Sequence, residues 1–155
     1  MLELVDITRQ KCTIIAPHGD DEIIGCYEVL TTCKNVEVIY LEPPQLEKDP
    51  PWIYSIISLS ALETSLDCSR IILSPHYVYE MHPLHRGVGC LVNYLRQTIG
   101  LIVVWYSTTM NAPFVRLSKN PQEKLAMLNT YYSAKADLWK YEHKYFLYEG
   151  YLTYL

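Results

Sequence analysis

Two short stretches carry the side chains that could do chemistry. HGDD, residues 18–21, sets a histidine and two aspartates within four positions, with Glu22 directly after. HPLH, residues 82–85, offers two more imidazoles three positions apart. Imidazole nitrogens and carboxylate oxygens are ordinary zinc ligands, and a catalytic zinc site uses three protein ligands and keeps one position open. His18, Asp21 and His85 make such a set and leave Asp20 and His82 unligated beside the metal. Adjacent aspartates at a turn project in different directions, so one holds the cation while the other faces water. A metal lowers the pKa of bound water to about 7, so Asp20 could take its proton as general base for attack on an acyl carbonyl. His82 would then stabilise the oxyanion or protonate the leaving amine.

These residues need a scaffold that brings positions more than sixty apart to one place. Short β-branched runs alternate with longer helical patterns, which predicts an α/β fold, a Rossmann-like three-layer sandwich around a mainly parallel sheet. The expected strands are CTIIA (12–16), VEVIYL (36–41), RIILS (70–74) and LIVVWY (101–106). Helices are expected over 21–32, from Pro50 or Pro51 to about Leu66, from Pro83 to Ile99, and from Pro121 through Tyr132 to about Trp139. In the third of these, Val88, Leu91, Val92, Leu95 and Ile99 repeat near 3.6 residues. The loop 41–51, with four prolines, and the irregular segment 107–120 both follow strands. Both histidine stretches and both loops therefore fall at the carboxyl edge of the sheet, where open α/β folds bind ligands.

Bulk properties narrow the classes of function. At 155 residues the chain suits one domain, 1–155, and a net charge of −4 without a basic stripe disfavours nucleic acid as a partner. The longest apolar run, near 99–106, is far short of the ~20 residues that span a bilayer, and the N-terminus has no signal-peptide pattern. No membrane insertion and a cytoplasmic location are the expectations. Five scattered cysteines without CxxC spacing read as reduced core thiols. Fourteen tyrosines fit either half-buried positions or a sugar-stacking surface.

HGDDEIIGC resembles the HPDDEVLGC signature of the PIG-L/LmbE-like deacetylases, a metal-dependent family that includes N-acetylglucosaminyl deacetylases. EMHPLHRGVG resembles the family's second motif, DxHPDHRAVG, and KLAMLNTYYSA resembles its third and weaker pattern, in the same order along nearly the whole chain. The resemblance implies metal ligation by His18, Asp21 and His85, a base role for Asp20 and an electrophilic or acid role for His82. It further implies Zn2+ as the cofactor, with Fe2+ as an alternative, and a small-molecule amino-sugar conjugate as substrate. A homo-oligomer is compatible with the sequence. Glu22 matches a family position too, although a carboxylate in a first helical turn is favoured by the helix dipole alone.

The chain departs from that pattern in four places. Gly19 replaces a proline, which predicts a looser turn. Leu84 replaces the aspartate between the two histidines, which predicts weaker support for His82 unless Glu80 compensates. A threonine and glycine after the second strand, and an arginine and glutamate opening the next helix, have no counterparts here. Three functions follow: a zinc-dependent amidase or deacetylase, an iron enzyme using the same two-histidine, one-carboxylate set, or a metal-containing glycan-binding protein with reduced turnover. His76, His143, Ser133 and Lys124 read as ordinary packing or surface residues, and Gly87 and Gly89 as glycines that permit close helix packing.

Overall fold

The computed structural model describes residues 2–153. Its central sheet is built from β1 (Lys11–Ala16), β2 (Asn35–Tyr40), β3 (Ile53–Ile56), β4 (Ile71–Pro75), β5 (Val103–Tyr106) and β8 (Tyr151–Thr153). These six strands lie in the order β3-β2-β1-β4-β5-β8. All pairings are parallel except that of β5 with β8. β6 (Arg116–Leu117) and β7 (Tyr148–Glu149) form a separate antiparallel pair. The α/β sandwich expected from the alternation of strands and helices is thus what the chain adopts.

β1 lies mid-sheet because it is buried on both faces: Cys12, Ile14 and Ala16 point into one core and Ile15 into the other. Such a continuous apolar run marks a central parallel strand. Over one face lie α1 (Leu4–Thr8), α2 (Asp21–Thr32) and α5 (Pro121–Tyr131). Over the other lie α3 (Leu59–Ser65) and α4 (Pro83–Ile99), which presents Val88, Val92 and Leu95. The period near 3.6 read from the sequence is the buried stripe of α4, although Ile99 at its end is 49% exposed.

After β1 the chain moves outward through β2 and β3, then returns to place β4 on the opposite side of β1. This reversal opens a crevice between the carboxyl ends of β1 and β4, the usual ligand position in open α/β sheets. The turn 18–21 follows β1 there and the segment 76–82 follows β4, so the two histidine stretches meet.

Several local expectations are corrected. The helix expected from Pro50 to Leu66 is instead β3 followed by the short α3. Ile53, Tyr54 and Ile56 are strand-forming types, and the open edge of β2 supplies them a ladder that a short helical pattern cannot match. The last helix does not continue to Trp139. It stops at Tyr132 (φ −137°, ψ 39°) and gives way to a 3-10 turn at Ser133–Lys135, α6 (Ala136–Tyr141) and α7 (Lys144–Leu147). Of the five cysteines, all free, Cys12, Cys26 and Cys33 are buried but Cys68 and Cys90 are exposed, so only three are core thiols. Gly89 does allow close packing, since a Cβ there would lie 2.6–2.7 Å from the Pro75 and Tyr77 backbone; around Gly87 the space is open. Among the described residues no helix is long and apolar enough to cross a membrane.

Candidate metal centre

The turn after β1 is held in a shape that a typical residue resists. Asp20, the N-cap of α2, has φ 103°, in the left-handed region where a non-glycine residue is strained by about 1–3 kcal/mol. Its carbonyl accepts from the amides of Ile23 and Ile24 at 3.0 and 2.9 Å, and its own amide donates to Glu22 Oε2 at 3.0 Å. Lys135 Nζ donates to the Gly19 carbonyl at 2.6 Å and to Asp20 Oδ2 at 3.2 Å. Below the turn, Glu22 is fully buried and Oε1 accepts from the hydroxyls of Tyr40 and Tyr132 at 2.7 and 2.5 Å. Burial pushes its carboxyl up to about 8 despite those two hydroxyls. Glu22 lies in the first turn of α2, as expected from the sequence, and there it serves as a buried clamp on the Asp20 backbone. Gly19 is not loose either, because a Cβ there would lie 2.9 Å from Pro44 and 3.0 Å from Tyr132. A proline has no room at this position while Pro44 of the loop 42–51 packs against it.

The turn before α4 is built differently. Pro83 opens the helix, and His82 caps it by accepting from the Leu84 amide through Nδ1 at 3.1 Å. His85 follows one turn in and is buried. Its Nδ1 faces Glu80 Oε1 at 3.2 Å. Glu80 is itself buried, and it accepts from Ser107 Oγ (2.9 Å), Thr108 Oγ1 (2.9 Å) and the Thr108 amide (3.0 Å). Glu80 thus supports His85, and the expectation that it would stand in for the missing aspartate beside His82 is corrected: its carboxylate is already committed. Leu84 packs instead against the core under α4.

Across the crevice the donors converge. His18 Nδ1 lies 3.1 Å from His85 Nε2, His85 Nε2 lies 3.1 Å from Asp21 Oδ2, and Asp21 Oδ2 lies 3.5 Å from His18 Nδ1. Three donors on a tetrahedral cation with bonds of 2.0–2.1 Å stand roughly 3.3 Å apart, so this triangle has the edge of a zinc-sized site. A carboxylate accepts only, and His85 has one on each side, Glu80 at Nδ1 and Asp21 at Nε2, so without a metal the ring donates to both as an imidazolium. A metal bound in the triangle would displace the proton on Nε2, since a ligating nitrogen must present a lone pair. Glu42 Oε2 lies 3.7 Å from His18 Nε2 on the solvent side.

His82 joins the same group: one ligand atom each from His18, His82 and His85 lie within 4.8 Å of one another, so these three histidines could hold a metal ion. The His82 ring centroid is 4.6 Å from that of His18 and 5.3 Å from that of His85. Because Nδ1 of His82 accepts from Leu84, the neutral ring carries its proton on Nε2 and presents a donor to the crevice.

The charges are mutually tuned. Burial disfavours the imidazolium of His85, but Asp21 and Glu80 outweigh it and push the ring up to about 10. Burial also opposes ionisation of Asp21, yet His85 and His18 hold it below the usual carboxylate range. Burial, then the Asp21 charge, raises Asp20 to about 7 against Lys135 and His18. Burial and the neighbouring His18 and His85 rings keep His82 below its ordinary value. The cleft over these groups, of about 300 Å³, is also lined by Met81, Thr108, Leu138, Lys144 and Tyr145.

No protein-family model matches the sequence, and no curated protein matches it. Among solved structures the chain is similar to the conserved protein TT1542 from Thermus thermophilus, with a TM-score of 0.58 at 16% identity. The likeness covers 94% of this chain and 95% of that one, and it extends to the fold alone.

The structure thus brings together all five site residues singled out in the sequence, His18, Asp20, Asp21, His82 and His85. The site also takes in Lys135 and Thr108, which lie outside both histidine motifs. Lys135 sits where a continuous helix was expected, and only the break at Tyr132 turns it toward Asp20. Thr108 offered one usable signal, its place just past a strand at the carboxyl edge. His76 stands apart from the cluster, buried among Tyr77, Tyr79, Trp105 and Phe114, while His143 is exposed with its ring tilted against that of Phe146. Lys124 is fully buried, and Ser133 donates to Glu47 at 2.6 Å.

Proposed function

We propose that the protein is a metal-dependent amidase of the PIG-L/LmbE type that removes an acyl group, acetyl foremost, from an N-acylated amino sugar or its conjugate. The observation that carries this reading is the triangle of His18 Nδ1, Asp21 Oδ2 and His85 Nε2, with edges of 3.1–3.5 Å. Glu80 behind His85 supports it, since a carboxylate on the far nitrogen of a ligating histidine is the common way to fix that ring. In this reading His18, Asp21 and His85 hold Zn2+. When bound, the cation supplies Lewis acidity to an amide carbonyl and to water.

Every other part is played by side chains. Asp20, beside the ligands and not among them, takes a proton from water as its oxygen bonds to the acyl carbon, then passes that proton to the nitrogen as the C–N bond breaks. Lys135 holds the Asp20 carboxylate in place. His82 presents Nε2–H, which suits hydrogen bonding to the oxyanion better than delivery of a proton. Leu84 fits that role, because a carboxylate beside His82 would favour its charged form. The substrate class rests on the resemblance of the motifs, and the cleft of about 300 Å³ suits a small molecule at the lower end of ligand-sized pockets.

Metal analysis of the purified protein, paired with acetate release from N-acetylglucosamine conjugates before and after chelation, tests the reading. About one zinc per chain and chelator-sensitive release are expected. Bound iron with no acyl release would favour the iron enzyme, and bound zinc with sugar binding but no turnover a glycan-binding protein. A folded chain that takes up no divalent metal would overturn the metal reading itself.

A further inference from the structure

We propose that the buried ion pair of Lys124 and Glu149 is a positioning device for the metal centre: it fills a break in α2 between Ile24 and Glu28 and so sets where Asp20 and Asp21 point. The proposal rests on the metal reading above but concerns residues outside the cluster.

Helix α2 is not one continuous helix. Cys26 has φ −134° and ψ 27°, so two helical pieces meet there at a kink. Kinks have causes such as proline, a π-bulge or a side chain inserted into the hydrogen-bond ladder, and the sequence DEIIGCYEVLTT contains no proline. In a regular helix the amide of Glu28 would donate to the carbonyl of Ile24. Here Lys124 Nζ, from α5, donates to the Ile24 carbonyl at 2.6 Å, while the Glu28 amide donates to Glu149 Oε2, from β7, at 2.9 Å. Lysine and glutamate are joined at 3.0 Å. One helical hydrogen bond has been opened and its two ends closed by the two halves of an ion pair.

The pair is fully satisfied, which makes it a stable wedge. The other Lys124 proton goes to the Tyr148 carbonyl at 2.9 Å, and Glu149 Oε2 also accepts from the Tyr151 hydroxyl at 2.6 Å. Both side chains are buried, Lys124 completely. On the far side of the break the first piece of α2 is pressed against the sheet. A Cβ at Gly25 would lie 2.2–2.5 Å from the Tyr106 ring, and the Tyr106 hydroxyl donates to the Ile15 carbonyl at 2.6 Å. The piece carrying Asp21 and Glu22 is thus held between Tyr106 and the wedge, and its direction differs from that of the second piece. A buried ion pair is often no better for stability than a well-packed apolar pair of similar volume, so stability is a weak account of these two residues. Orientation of the first piece is a stronger one.

The test is the double variant Lys124→Met/Glu149→Met, in which the Glu28 amide can return to the Ile24 carbonyl and α2 can straighten. The expected result is an unfolding midpoint kept or raised, zinc affinity reduced about 10- to 100-fold, and a shifted d–d absorption spectrum for the Co2+-loaded protein. A crystal structure of the metal-free variant reads the positioning directly: Cys26 becomes helical and Asp21 Oδ2 moves away from His85 Nε2. A straightened helix with Asp21 unmoved, or a retained kink, overturns the proposal. Wild-type protein that takes up no zinc fails the metal reading, and the metal-free structure still decides the positioning. If the double variant does not fold, Glu149→Met alone frees the Glu28 amide and is read by the same measurements, with unchanged zinc affinity and an unchanged Asp21 position counting against the proposal.

Discussion

The turn at residues 18–21 is gripped on every side, by Glu22 and Tyr132 beneath it, Lys135 across it and Pro44 against Gly19, whereas His82 stands at the exposed rim of the cleft with one backbone hydrogen bond to its ring. Within the second stretch the same contrast recurs over three residues, because His85 is buried on Glu80 while His82 is not. Groups that must hold a cation need fixed lone pairs, and burial against hydrogen-bonding partners fixes them. A group that must follow a changing oxygen gains from freedom.

The comparison can be broken most directly by moving the chemistry without moving the metal. Asp20→Asn is expected to lower amide turnover by about 100-fold or more while zinc stays bound, as for removal of a general base. His82→Asn should likewise keep the metal and lose activity. Zinc lost from His82→Asn, measured by metal analysis, would mean that the rim histidine is a ligand and that the two stretches share the cation differently.

The packing difference predicts a smaller effect, in stability. Gly19→Ala puts a Cβ 2.9 Å from Pro44 in a gripped turn, and should destabilise by about 1–3 kcal/mol. Gly87→Ala, where nothing lies within 4 Å, should be neutral or raise stability by up to about 1 kcal/mol. Chemical denaturation of the two variants side by side checks this, and equal midpoints would remove the claim that loop 42–51 and Gly19 are fitted to each other.

The smallest expected effect lies outside the centre. Burial lowers the pKa of His76, with Glu80 opposing. A histidine depressed in the folded state binds fewer protons than its unfolded counterpart just below pH 6.5, so stability falls as pH drops through that window. His76→Gln should flatten the dependence of the unfolding midpoint between about pH 7 and 5.5. An unchanged slope would show that His76 keeps its ordinary value.

Much of the centre was legible because its parts are short and local. HGDD and HPLH supply every proposed ligand and reacting group, and the alternation of β-branched runs with helical periods places both at one sheet edge. The less legible parts depend on partners distant in sequence. The strand-forming residues of IYSI sit inside a longer apolar run that also suits a helix, and the free edge of β2 decides between the two. KLAMLNTYYSAKADLW keeps a helical period across the point where Tyr132 turns its hydroxyl to Glu22 and breaks the helix. Lys124 looks like a surface lysine, because the carbonyl it seeks lies a hundred positions away.

The sequence by itself determined which chemistry was available and on which edge of the sheet it would gather, since residue type and hydrophobic period are local properties. Only the tertiary structure decided which carboxylate serves which histidine, that Glu80 backs His85 and leaves His82 to cap its helix, and that Glu22 is a buried clamp. Those outcomes depend on which polar groups are buried together, and a buried polar group takes the partner that folding puts within reach.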